Sequence, residues 1–122
     1  MKGEYMGYLT ETDIQNFRQI IGEVIKEAKQ PPEGWESCFN GIKRRLDDGD
    51  EFVLLTYSSI IVSRSRIING RSRKSRIIFG LDGQRHDNGD TYASPSARKE
   101  FEDVLNEQQA ADVLKDLARS RD

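Results

Sequence analysis

Cysteine is almost missing from this chain: Cys38 is the single one. One thiol forms neither an internal disulfide framework nor a thiolate zinc cluster, and it fits a reducing compartment. No apolar run approaches the roughly 18 residues of a membrane span, which excludes a transmembrane helix and any membrane partner of that kind. The N-terminal MKGEYMGYLTET has no apolar stretch of signal-peptide length, so a cytoplasmic location is expected. No P-loop, Gly-rich dinucleotide loop, GxSxG elbow or HExxH motif occurs. Nothing in the residues points to catalysis, and no cofactor or metal is expected.

One further absence is local. Residues 60–79 contain no aspartate or glutamate, yet they hold Arg64, Arg66, Arg71, Arg73, Lys74 and Arg76. Over the 122 residues, 19 basic and 21 acidic side chains give a net charge of −2, as if the protein had no electrostatic preference. Partitioned, residues 1–59 carry 7 basic and 11 acidic side chains, residues 60–79 carry 6 and none, and residues 80–122 carry 6 and 10. A concentrated positive segment thus interrupts an acidic body. With 35% hydrophobic and 33% charged residues, one domain with a modest core is expected.

Thr10 or Thr12 opens a helix, with Asp13 or Gln15 in capping-box position. Ile14, Phe17, Ile21, Val24 and Ala28 recur at helical steps, widened by Ile20 and Ile25, until Pro31-Pro32 stops the pattern. Trp35, Cys38, Phe39, Ile42 and Leu46 form a second stripe at helical spacing, ending at Asp47-Asp48-Gly49-Asp50. Residues 10–48 therefore read as a helical hairpin. Phe52 to Tyr57 reads as a buried strand. Two β-rich runs then flank Asn69-Gly70, a strong hairpin signal because both turn positions want φ > 0. A two-residue turn there pairs Ile68 with Arg71, Arg66 with Arg73, Val62 with Ile77 and Ile60 with Phe79. Residues 80–94 read as an exposed loop. Ser94-Pro95 reads as the cap of a C-terminal helix over 95–119, with Asn106 and Gln109 able to restart it. The class is α+β: a helical hairpin, a three-stranded antiparallel sheet (51–79) with a protruding basic β-hairpin, and a C-terminal helix.

On that register Arg64, Arg66, Arg71 and Arg73 share the face of Ile60, Val62, Ile77 and Phe79, nearer the tip. Arg66 opposite Arg73 is a like-charge pair that an isolated sheet does not favour. An anionic partner relieves it, and the planar guanidinium fork suits phosphate. Ser63, Ser65, Ser72 and Ser75 are small and can hydrogen-bond phosphate oxygens. Lys74 and Arg76 complete the candidate phosphate-binding set. Two structural alternatives exist: a solvated ribbon whose cations block strand-to-strand aggregation, and pairing of the arm with the protein's own acidic helices.

From Ile42 to Arg71 the chain resembles the HU/IHF group of bacterial histone-like DNA-bending proteins. The residues that carry the resemblance are Leu46, Gly49, Asp50, Leu54, Leu55, Tyr57, Ser58-Ser59, Val62 and Gly70-Arg71, together with the expected element order. The resemblance implies an intertwined, nucleoid-associated homodimer whose arms reach around a duplex. Arg64, Arg66, Arg71 and Arg73 would then contact the backbone or minor groove. The family's arm-tip Arg-Asn-Pro is replaced by Arg71-Ser72-Arg73, which lacks the intercalating proline.

His86, with Asp82, Asp87 and Asp90, lies in a turn-rich stretch without EF-hand spacing. Asp47, Asp48, Asp50 and Glu51 read as a turn, and Cys38 as a structural thiol. The expectation is a small non-enzymatic protein that binds nucleic acid, duplex DNA first, through the 60–79 hairpin. The alternative is an inhibitor or sequestering module, of the type phages use, whose hairpin grips an acidic protein or a phosphate-bearing signalling nucleotide.

Overall fold

The computed structural model describes residues 8–86 and 95–121. Helix α1 (Glu11–Glu27) opens on the predicted capping box: the Asp13 amide donates to the Thr10 hydroxyl, and the Thr10 amide donates to the Asp13 carboxylate. Ile14, Phe17, Ile20, Ile21 and Val24 are buried along one stripe. The helix ends on Ala28 in the left-handed region (φ 53°), ahead of Pro31-Pro32.

The chain then forms a five-stranded antiparallel meander. Its strands are β1 (Glu36–Cys38), β2 (Gly41–Leu46), β3 (Gly49–Leu55), β4 (Ser59–Ile68) and β5 (Arg71–Gly80), each paired with the next in sequence. Helices α2 (Pro95–Val104) and α3 (Glu107–Arg121) follow. The α+β class is as expected, while the helical hairpin over 10–48 and the three-stranded sheet are corrected. The second half of that hairpin is β1 and β2.

The reason lies in two competing periods. Ile42 and Leu46 fit a helical stripe, but they equally fit an alternation in which Ile42, Arg44 and Leu46 share one face of a strand. Asn40 decides the matter: its left-handed backbone (φ 64°) closes the two-residue turn between Cys38 and Gly41, a conformation that a helix interior does not accommodate. β2 then gains ladder partners on β3, with Ile42 facing Val53 and Leu46 facing Gly49. Tertiary pairing outweighs the local pattern.

The hairpin of β4 and β5 has the predicted turn and register. Asn69 (φ 52°) and Gly70 (φ 76°) occupy the turn, and the pairs are Ile68 with Arg71, Arg66 with Arg73, Val62 with Ile77 and Ile60 with Phe79. It does not protrude as an arm. β3 pairs with β4 out to Arg64, and the Ile67 amide donates to the Asp48 carbonyl at 2.9 Å. Only the tip from Ile68 to Arg71 extends further. Gly49 permits this closeness, because a Cβ there would strike the Ser65 carbonyl.

The expected single helix over 95–119 is two. Its break is sealed by the reciprocal cap foreseen at Asn106 and Gln109, each backbone amide donating to the other's side-chain oxygen at 3.0 and 2.9 Å. Expectations for Asp87, Asp90 and Ser94, and for residues 1–7, lie outside the described residues.

One face of the sheet holds the core. Ile42, Val53, Val62 and Ile77 make a row across four strands, with Ile60 and Phe79 beside it. Ile14, Phe17 and Ile21 from α1 cover it together with Leu105, Leu114 and Leu117. Each such side chain contributes about 1.5–3 kcal/mol relative to exposure. The opposite face keeps Phe52, Leu54, Ile61 and Ile78 only half-buried.

Candidate functional site

Strand alternation sorts the six cations of residues 60–79 onto two faces. Arg64, Arg66, Arg71 and Arg73 share the parity of the core residues, as the sequence predicts, so they belong to the helix-covered face. Lys74 and Arg76 point the other way, opposite Ser65 and Ser63.

On the covered face the charges meet carboxylates of the same chain. Arg64 is buried at 7% exposure, its Nη2 2.6 Å from Asp48 Oδ1 and its Nη1 3.9 Å from Glu51 Oε2. Glu51, 4% exposed, receives both Nε and Nη2 of Arg44 at 2.7 and 2.6 Å. Arg44 in turn stacks its guanidinium 4.5 Å from the centroid of the Trp35 ring. Arg66 reaches Asp48 at 3.8 Å, and Arg73 reaches Glu100 of α2 at 3.6 Å. The Arg66–Arg73 cross-strand repulsion is therefore relieved from within. Among the described residues the Nε atoms of Arg64 and Arg66 are buried without a hydrogen-bond partner. A paired, buried charge of this kind fixes the sheet end rather than offering itself to solvent. Arg71 is exposed at the tip, where it lines a cleft of about 290 Å³ with Ile68, Asn69, Arg73, Glu100 and Asp103.

On the open face the situation reverses. Lys43, Phe52, Ser63 and Arg76 form one transverse row, and Arg45, Asp50, Ser65 and Lys74 form the next towards the tip. Among the described residues neither Lys74 nor Arg76 has an ion-pair partner, and both are exposed. Lys43 and Arg45 have only solvent-exposed partners, Glu36 at 3.6 Å and Asp50 at 3.4 Å. Such pairs are weak and exchange readily for a phosphate. Ser65 is fixed by accepting the Asp50 amide at 2.9 Å.

Two aromatic side chains stand at the opposite end of the strands. Phe39 is 87% and Tyr57 98% exposed, in the β1–β2 and β3–β4 turns. The turns are tied together, the Leu55 amide donating to the Asn40 carbonyl at 2.8 Å. Arg18 of α1 donates to the Ser59 carbonyl at 2.7 Å and the Tyr57 carbonyl at 3.3 Å, which holds the second turn from the core side.

Sequence reasoning identified the hairpin cations and missed Lys43, Arg45, Phe52, Phe39 and Tyr57. The signal was present at 41–46, where alternation places Lys43 and Arg45 together on the face opposite Ile42, but the helical reading concealed it.

The remaining candidates are structural. His86 Nε2 lies 2.9 Å from Asp82 Oδ1, and the Gln84 amide also donates to that oxygen at 2.9 Å. The Gln84 amide, with the histidine second, holds the Asp82 carboxyl below the usual aspartate range. Ser58 and Ser59 line the neighbouring cleft, but the Ser59 hydroxyl is engaged with Thr56. Partial burial raises the Cys38 thiol above its ordinary value, so it is protonated near neutrality. No three His, Cys, Asp or Glu side chains converge on a metal-sized site among the described residues. No described helix is long and apolar enough to cross a membrane. Comparison with protein families, with curated proteins and with solved structures finds no match to this chain.

Proposed function

We propose that this is a non-enzymatic nucleic-acid-binding protein that holds the phosphate backbone on the open face of its sheet. The observation that carries the reading is the pair Lys74 and Arg76, exposed on β5 with no ion-pair partner among the described residues, beside Lys43 and Arg45 and interleaved with Ser63, Ser65 and Ser72. Arg71 adds a further cation at the tip. Arg64 has a different role, because its charge is buried against Asp48 and Glu51, while Arg66 and Arg73 lie on the helix-covered face over longer contacts with Asp48 and Glu100. Binding is electrostatic, by release of counterions, with little reading of base sequence.

Fluorescence anisotropy on labelled duplex and single-stranded oligonucleotides, between 50 and 200 mM salt, tests the reading directly. Five contacts give a slope of log K on log[salt] of about −4.5 for duplex and about −3.5 for a single strand. A homodimer presents two such faces and doubles the slope, which light scattering on the same sample will register. Lys74→Glu/Arg76→Glu should abolish most of the affinity. Binding that ignores both salt and this double substitution overturns the proposal.

A second reading is favoured by the cleft at the tip, where Arg71 and Arg73 face Glu100 and Asp103. There the hairpin would hold a small phosphate-bearing nucleotide. Saturable binding of a nucleotide lost on Arg71→Ala, with no affinity for oligonucleotides, would select it.

A further inference from the structure

The open face carries more than cations. Leu54, Ile61 and Ile78 form a half-buried apolar row next to the row of Lys43, Phe52, Ser63 and Arg76. At the turn end of the strands Phe39 and Tyr57 are 87% and 98% exposed, but Tyr57 lines a cleft with Gln15 and Arg18 of α1, on the helix-covered side. On the open face itself the half-buried Phe52 ring and the apolar row stand beside cations, an arrangement suited to a binding purpose. The partner must satisfy both halves of this surface, aromatic and cationic, at once.

Duplex nucleic acid satisfies only one. It presents phosphates outward and keeps its base faces stacked inside, so Phe52 would find no counterpart. Nor does the sheet fit a groove. Strands β2 to β5 are three intervals of about 4.8 Å across, roughly 14 Å before side chains, against a major groove about 12 Å wide. The two-stranded ribbon that would fit is held flush with the sheet by the Ile67–Asp48 hydrogen bond. A single strand, by contrast, offers base faces to aromatics and phosphates to cations from the same chain. The row Lys43, Phe52, Ser63, Arg76 has that composition, an aromatic ring flanked on both sides by cations within two strands. The serine between them leaves room for a base.

We propose that the ligand is single-stranded nucleic acid laid across the open sheet face, with Phe52 as the stacking platform. Lys43, Arg76 and Lys74 hold its phosphates. This rests on the nucleic-acid reading above.

The test measures anisotropy of a labelled oligothymidylate of about 15 nucleotides, near the upper end of site sizes for a small platform, against a blunt duplex of equal length. The full chain is used throughout, with circular dichroism melts of every variant. The single strand should bind more tightly than the duplex. Phe52→Ala should weaken it about fivefold to a hundredfold, the span of one lost base–aromatic stack, while Phe52→Tyr retains affinity and Phe52→Leu does not. Tyr57→Ala, on the α1 side of the same end of the sheet, should leave it unchanged. Equal or tighter duplex binding, insensitive to Phe52 but lost on Lys74→Glu/Arg76→Glu, overturns this inference and leaves the broader reading standing. Absence of binding to either oligonucleotide overturns both. A dimer in light scattering that Tyr57→Ala or Phe52→Ala converts to monomer, with single-strand affinity unchanged, assigns the face to a second copy and also overturns the inference.

Discussion

The two faces of the β4–β5 hairpin are built from alternate residues of the same twenty, yet they handle positive charge in opposite ways. Arg64, Arg66 and Arg73 turn inward, where the Asp48 turn, Glu51 of β3 and Glu100 of α2 supply carboxylates. Lys74 and Arg76 turn outward, opposite serines, and form no ion pair among the described residues. Charge counted along a sequence is therefore not charge available to a partner; strand parity and the neighbours brought by the fold decide which part is free. The inward set tolerates close like charges because it is paired, and the outward set remains unpaired because it faces water.

The sharpest way to break this contrast is Arg64→Ala. It leaves Glu51 to Arg44 alone and Asp48 with only the longer contact of Arg66, and should cost about 1–3 kcal/mol in denaturant unfolding, as expected when a buried hydrogen-bonded charge is removed. If Arg64 serves the ligand instead, the variant keeps its stability and loses affinity. Gly49→Ala acts on the same pairing indirectly. Its Cβ pushes against the Ser65 carbonyl and shifts the turn that delivers Asp48 to Arg64, for about 1–3 kcal/mol.

On the outer face the expected pattern inverts. Lys74→Glu/Arg76→Glu should weaken oligonucleotide binding about tenfold or more at 50 mM salt, with the melting temperature nearly unchanged. Glu100→Gln sits between the two cases. It breaks an exposed contact with Arg73 worth about 0.2–1 kcal/mol, and the freed guanidinium should raise affinity slightly. The smallest effect belongs to a region on neither face. The Asp82 carboxyl, depressed by the Gln84 amide and by His86, supports its turn at pH values above the ordinary aspartate range. That support fades as pH falls through its lower folded value, so the protection factor of the Gln84 amide, its exchange relative to an unstructured amide at the same pH, should fall in acid. Asp82→Asn should remove that change in protection.

Much of this was legible in the residues, for identifiable reasons. Asn69-Gly70 fixed a turn, and the turn fixed every cross-strand pair of β4 and β5, so the shared face of Arg64, Arg66, Arg71 and Arg73 followed directly. Thr10 with Asp13, and Asn106 with Gln109, announced two helix starts through local hydrogen bonds. The β1–β2 hairpin was concealed because Ile42 and Leu46 satisfy both a helical and an alternating period. Asn40-Gly41, the same dipeptide that marked residues 69–70, lay inside the apparent helix. Nor does a sequence show that Glu100 would reach Arg73 or Asp48 would reach Arg64, since those meetings depend on helix packing and on the register of β3. The free cations could be sorted from the paired ones only once both were known.

The consecutive order of the five strands has a kinetic consequence. Each ladder joins chain neighbours through a short turn, so the sheet closes without a long excursion of the chain, whereas the contact between α1 and α3 spans most of it. Contacts of low sequence separation assemble early and remote ones late. The meander should therefore zip up first and the two helices dock last. Leu114→Ala on α3 should then accelerate unfolding far more than it slows folding, and Val62→Ala at the middle of the sheet should do the reverse.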